Sequence, residues 1–319
     1  MKAADITHVA VIGAGTMGAG IAGLLARAGC EVRLVDRTGA LLERGMAMLR
    51  AAQEGLRAAK ALSAAGAAAA LRRVLPMPSL EEACAGVQLA VEAISEDLPL
   101  KQETFRRLDD ACPARAVLAS NTSGLSITAI AEVTRRPGLV AGMHFWNPPH
   151  LVPLVEIVKG RRTTDATARL LMDVSRRLGK QPILVRRDIP GFVGNRLQFA
   201  VFREALHLLA SGVASAQDID TAMTAGPGLR YGQLGPLRTA DLGGLDVFLA
   251  ISRYLFAELN SDRHAPKLLS ELVGKGRLGA KTGGGLYDYS ARDVKRLLAQ
   301  RDRVLLGFLR VLENAYVRS

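Results

Sequence analysis

The string Gly13-Ala14-Gly15-Thr16-Met17-Gly18 stands between an apolar, β-branched run, Ile6 to Ile12, and a small-residue helical stretch, Ala19 to Ala28, closed by Gly29. Glycines at this spacing have separate uses. Gly13 permits a tight turn, Gly15 lets a ligand approach the backbone, and Gly18 lets the helix pack close to the strand. The helix that follows offers unpaired N–H groups and the positive end of its dipole. The chemistry such a loop performs is capture of a pyrophosphate. Asp36 closes the next strand, Val32 to Asp36. A carboxylate there can accept both hydrogen bonds of an adenosine ribose diol, and it repels a 2′-phosphate. The pattern predicts a dinucleotide site built from Gly13, Gly15, Thr16, Met17, Gly18 and Asp36, with NAD favoured over NADP. Arg37 beside the acid pulls the other way. FAD would use the same loop, but the second half of the chain does not look like a flavin domain.

Strands and helices must alternate to hold that loop. Two Ala-rich helices occupy about 40–75 with a break near Ser63. Val87 to Ala93 reads as a strand, Leu98 to Ala111 as a helix and Ala116 to Ala119 as a strand. Leu139 to His144 and Val152 to Val158 are two more strands, with Asn147-Pro148-Pro149 turning between them. The alternation predicts an α/β Rossmann-type domain with a mainly parallel sheet. After Val185 only helices are expected, at 192–210, 216–224, 237–259, 265–273 and 292–315. The expected domains are therefore 1–187, NAD-binding, and 188–319, all-helical. On the last helix Val294, Leu298, Leu305, Phe308 and Leu312 fall on one stripe that should pack on something.

The 319 residues suit two domains, and 49% hydrophobic with 23% charged residues excludes intrinsic disorder. No run of ~18 uncharged apolar residues predicts a membrane span. No signal peptide is read at the N-terminus, and a cytoplasmic location is expected. Cys30, Cys84 and Cys112 read as reduced core thiols, and no metal site is predicted. The net charge of +12 comes from scattered basic residues with few aromatics among them. That predicts a basic surface and an acidic small ligand, with no nucleic-acid partner.

Five further strings carry a resemblance. They are Ser120-Asn-Thr-Ser-Gly-Leu-Ser-Ile127, Gly142-Met-His-Phe-Trp-Asn-Pro148 with Leu154-Val-Glu156-Ile-Val158, Asp188-Ile-Pro-Gly-Phe-Val-Gly-Asn-Arg-Leu197, Asp241-Leu-Gly-Gly-Leu-Asp246 and Gly279-Ala-Lys-Thr-Gly-Gly-Gly-Leu-Tyr287. With the glycine loop, and in this order over about 5–289, the chain resembles the L-3-hydroxyacyl-CoA dehydrogenase family. The resemblance implies NAD-dependent oxidation of an L-3-hydroxyacyl-CoA. It makes His144 the base for the hydroxyl proton and Glu156 the acid that holds the imidazole. It gives Ser123 and Asn195 the substrate's oxygens, in a cleft between the domains. Glu96, Lys101, Asn121, Asn147 and Lys281 would line the nicotinamide or ribose side of the cofactor. A homodimer through the helical domain is implied as well.

Two departures bear on the substrate. In the acyl-CoA enzymes a serine and a lysine of the helical hairpin contact CoA; an ungapped count from Asp36 places Ala52 and Ala59 there. Lys60, Arg57, Arg72 and Arg73 nearby could still serve a phosphate. The stretch Asn147-Pro-Pro-His-Leu-Val-Pro153 resembles the branch that oxidises free hydroxy acids, the gulonate and carnitine dehydrogenases and lens λ-crystallin. The segment 291–319 also extends beyond the usual end of the short acyl-CoA enzymes. The acyl-CoA substrate is the leading expectation. A free 3-hydroxy acid is the alternative, and a non-catalytic, crystallin-like NAD binder is the third.

Overall fold

The computed structural model describes residues 1–316, with side chains through Val311. Contacts divide the chain into two compact units, one holding Met1–Arg196 and the chain from Gln300, the other Leu197–Ala299. From the sequence the division is expected at 187/188. In the structure the first unit runs on through Arg196 because residues just before it are bonded to the sheet and its loops. The backbone N–H groups of Val193 and Gly194 donate to Glu156, and Asn195 donates to the Ser123 carbonyl.

The first unit carries β1 (His8–Ile12), α1 (Thr16–Arg27), β2 (Glu31–Val35), α2 (Gly39–Ala58), α3 (Ala64–Arg72), β3 (Val74–Met77), α4 (Leu80–Cys84) and β4 (Leu89–Glu92). It continues with α5 (Leu98–Ala111), β5 (Val117–Ser120), α6 (Ile127–Ala131), β6 (Val140–Phe145), β7 (Leu154–Val158), α7 (Asp165–Arg177) and β8 (Gln181–Val185). The strands form one sheet in the order β3-β2-β1-β4-β5-β6-β7-β8. Every neighbouring pair is parallel except β6 with β7. Hydroxyl or carboxylate caps start the helices: Thr38, Ser63, Ser79, Asp97, Ser126 and Thr164 each accept a backbone N–H of the first turn. Ser63 is thus the break expected within 40–75. Strand residues alternate between two buried faces, as a sheet covered on both sides requires. One core joins β1, β2, β4 and β6 to α1, α2 and α7; the other joins the opposite faces to α4, α5 and α6. Cys30, Cys84 and Cys112 are free and buried.

The second unit is helical. Its elements are α8 (Gly194–Ala210), α9 (Ala216–Ala225), α10 (Pro227–Tyr231), α11 (Gly235–Gly243), α12 (Leu245–Glu258) and α13 (Lys267–Gly274), then the start of α14 (Ala291–Tyr316). The single helix expected at 237–259 is two, parted at Gly244, whose φ of +92° no helix continues. Tyr287 Oη donates to Asp220 at 2.7 Å and the Asn260 N–H to Glu204 at 2.8 Å. Large side chains such as Leu237 (85% exposed) and Phe256 (71%) face outward. No helix of the described residues is long and apolar enough to cross a membrane.

The last part of α14 belongs to the first unit. Its packed side is not the expected stripe. Val294 and Leu305 are part-buried, Leu298 and Phe308 stay about half exposed, Leu312 lies outside the described side chains, and Asp302, Leu306, Leu309 and Arg310 line cavities of the unit.

Candidate active site

At the end of β1 the three glycines are required for different physical reasons. Gly13 has φ +103°, and a Cβ there would lie 2.5 Å from the Ala93 carbonyl oxygen. A Cβ at Gly18 would lie 1.7 Å from the Gly13 oxygen. At Gly15 a Cβ would meet nothing within 4 Å; its bareness leaves open space over the loop. No side chain caps α1, so the N–H groups that Thr16 and Met17 bring to its first turn remain available. Asp36 is fixed by two backbone donors, Ala14 N–H and Arg37 N–H, each at 2.7 Å. Gly13, Gly15, Asp36, Arg37, Leu41 and Ile94 line a cavity of about 370 Å³.

The second constellation is set by the antiparallel β6–β7 pair, in which His144 stands opposite Glu156. His144 Nδ1–H donates to Glu156 Oε2 at 2.8 Å. The acceptor is a carboxylate, which fixes the proton on Nδ1 and leaves Nε2 with its lone pair. Glu156 is wholly buried (0% exposed) yet fully satisfied. Trp146 Nε1 donates to Oε2 at 3.3 Å, and the N–H groups of Val193 and Gly194 donate to Oε1 at 3.0 Å. Burial pushes this carboxyl up, but the bonds from His144, Gly194 and Val193 outweigh it and hold the group below the usual carboxylate range. Trp146 and Phe192 flank the imidazole with ring centroids 5.6 and 5.9 Å away. A Cβ at Gly194 would fall 2.4 Å from the indole of Trp146, so only glycine fits there.

A third cluster lies at the ends of β4 and β5. Lys101, 1% exposed, donates to Glu92 at 2.6 Å and lies 3.4 Å from Glu96. The other oxygen of Glu92 accepts from Ser120 Oγ at 2.6 Å. Glu96 Oε1 accepts from Thr122 Oγ1, Ser123 N–H and Ser123 Oγ. Burial raises the Glu96 carboxyl, but these bonds and Lys101 bring it below its ordinary value.

The family model described as 3-hydroxyacyl-CoA dehydrogenase, NAD binding domain, matches residues 8–189, and the one described as the C-terminal domain matches 191–289. The chain belongs to the 3-hydroxyacyl-CoA dehydrogenase family. Its relatives include a 5-formyl-3-hydroxy-2-methylpyridine 4-carboxylate 5-dehydrogenase of Mesorhizobium japonicum, 36% identical over 97% of this chain and 99% of that protein. A probable 3-hydroxybutyryl-CoA dehydrogenase of Bacillus subtilis is 38% identical over 90% of this chain and 99% of that one. A crystal structure of a pyridine-carboxylate 5-dehydrogenase of the first kind, described as an NAD+-dependent dismutase, superposes with a TM-score of 0.90 at 34% identity, covering 97% of this chain and 99% of that one. As a member of the family, the protein is an NAD-dependent oxidoreductase acting on CH–OH.

The loop fits that cofactor. Open space over Gly15, the uncapped α1 and the anchored Asp36 match a pyrophosphate and a ribose diol, and bound NAD+ supplies the acceptor for hydride. His144, Glu156, Ser123 and Asn195 all lie in the first unit, where Asn195 Nδ2 donates to the Ser123 carbonyl at 2.8 Å. Other expected cofactor residues sit differently. Lys101 is buried among carboxylates, so it orders Glu92 and Glu96 and does not present its ammonium to a ligand. Ser123, expected to donate to a substrate oxygen, gives its hydroxyl proton to Glu96 at 3.1 Å here. Asn121 Oδ1 accepts from the Phe145 N–H, Asn147 is exposed in the turn after Trp146, and Lys281 stands on a short 3-10 turn of the second unit. The sequence reading missed Glu92, Trp146 and Phe192. The acid closing the apolar run Leu89-Ala-Val-Glu92 was the one available sign of a buried ion pair.

Proposed function

We propose that this family member oxidises a compact, carboxylate-bearing alcohol, or the hydrate of such an aldehyde, and that its substrate is not a coenzyme A thioester. The observation that carries this is α14. Asp302 and Leu306 wall a cavity of about 340 Å³ together with Ala51, Ala52 and Gly55 of α2, and the Arg310 guanidinium donates to the Ala59 carbonyl at 2.7 Å. Ala52 and Ala59 are the hairpin positions at which the acyl-CoA enzymes were expected to touch CoA. Here the chain's own helix stands across that cavity from Ala52 and is bonded to the Ala59 carbonyl, and Arg57 pairs with Glu54 at 2.6 Å. The family match stops at residue 289, before α14 begins.

In this reading His144 Nε2 takes the hydroxyl proton as the C–H bond gives up its hydride, and Glu156 stabilises the imidazolium that forms. The second Nδ2 hydrogen of Asn195 is free to donate to the reacting oxygen, since the first is used on Ser123. Trp146 and Phe192 keep water from the imidazole. The test is a turnover screen read as NADH absorbance. Compact hydroxy acids and formyl- or hydroxymethyl-pyridine carboxylates should yield NADH, and 3-hydroxybutyryl-CoA should not. Turnover of the thioester alone would restore the acyl-CoA substrate.

The second unit supports a homodimer. Leu229, Leu237, Leu242, Tyr254 and Phe256 all face outward from its helices, more apolar surface than an isolated helical unit usually leaves in water. Light scattering should give twice the chain mass at micromolar concentration; a monomer would refute the assembly.

A further inference from the structure

A second cavity, of about 500 Å³, lies within the first unit and is lined by the cations Arg27, Lys60, Lys180 and Arg310, with His150 and Leu306 among the rest of its wall. Of those cations Lys180 is buried and Arg27 part-buried, while Lys60 and Arg310 are exposed. Arg27 ends α1, and burial lowers its guanidinium with no acid to offset it. Lys180 is 8% exposed and donates only to the carbonyls of Pro149 and Val152. Burial, and then Arg27 itself, bring its ammonium down to about 8. His150 is pushed down to about 4 by burial first and then by Arg27, so it adds no charge near neutrality. The nearby acid that favours its charged form, Asp302, is already bound by Arg301 at 2.6 Å. Among the described residues no carboxylate lines this cavity.

Like charges gathered around a part-buried cavity without a counter-ion are costly, and a bound anion would offset that cost. We propose that this cavity binds a small polyanion, a phosphate ester or a polycarboxylate, gripped by Arg27 and Lys180 from the core and by Lys60 and Arg310 from its edge. Because Arg310 is on α14 and Arg27 on α1, the bound anion would fasten the terminal helix to the sheet unit. The site is separate from the His144 dyad, and it shares Leu56, His150, Leu151 and Leu306 with the cavity walled by α2 and α14.

Orthophosphate and citrate, in separate arms, should be titrated into the full chain with NADH saturating, so that the glycine loop is already filled. Calorimetric binding and the thermal midpoint are read against sodium chloride at matched ionic strength. A saturable signal in either arm is expected, with orthophosphate marking a phosphate site and citrate a polycarboxylate site. Arg310→Gln, on the exposed rim, should fold normally and weaken binding about tenfold, the loss of one charge-assisted hydrogen bond. Lys180→Met should weaken it further. Signals no greater than those of sodium chloride, or affinities unchanged in Arg310→Gln and Arg27→Gln alike, would overturn the site.

Discussion

His144→Gln should lower kcat by about 10²–10⁴ while NADH affinity stays nearly unchanged. The glutamine amide can still fill space between Trp146 and Phe192, but it has no nitrogen lone pair to take a proton. Turnover close to wild type would remove His144 from the chemistry. Glu156→Gln should also lose rate, and the double variant should lose far less than the product of the two, because the pair acts as a unit. Glu156→Gln has a further effect. All four of its partners are donors, so a side-chain NH₂ must face at least one of them. The wild-type carboxyl is held below the range it has when unfolded. Its contribution to stability is therefore fully present above that range and is lost as pH falls through the lowered value. A pH series of unfolding midpoints should show this acid-side slope in the wild type and a shallower one in Glu156→Gln.

Lys101→Met should cost about 3–5 kcal/mol of stability, because it leaves the buried Glu92 without its counter-charge, held by Ser120 Oγ and the Ile94 N–H alone. For a unit of this size that is a fall in Tm of roughly 6–20 degrees. A loss of cofactor affinity with no change in Tm would instead return Lys101 to the ligand. Lys101→Met with Glu92→Gln should recover much of the loss, since the second change removes the stranded charge.

The parts of the fold that were legible in the sequence are those with a local signal. The glycine loop, Leu98–Ala111 and the strand bearing His144 each carry periodicity, a cap or a punctuating glycine within a few residues. The elements that escaped lack one. β3 reads Val-Leu-Pro-Met, an edge strand whose Pro76 argues against a strand at all. β8 is a half-exposed edge strand without clean alternation, and α7 before it was passed over with it. α11 and α12 were merged because Gly243-Gly244 inside a helical pattern costs little on paper, yet the positive φ of Gly244 ends the helix. The site divides in the same way. His144 and Glu156 were visible as motif residues. Lys101 was visible only as a charge at a helix start, and its burial follows from Glu92 on a different strand, which no local pattern reports. The side that α14 turns to the first unit follows from α2 and the 148–153 turn, distant in sequence, which no local pattern reports.

The antiparallel step between β6 and β7 separates two kinds of change. Side chains along a strand alternate between faces, so a one-residue slip in either strand would carry His144 and Glu156 to opposite sides of the sheet. The segment 147–153 that joins the strands sits outside that register. It borders the cavity walled by α2 and α14. Its length and side chains can drift, through insertion, deletion or exchange, while the backbone ladder keeps the proton-transfer pair aligned.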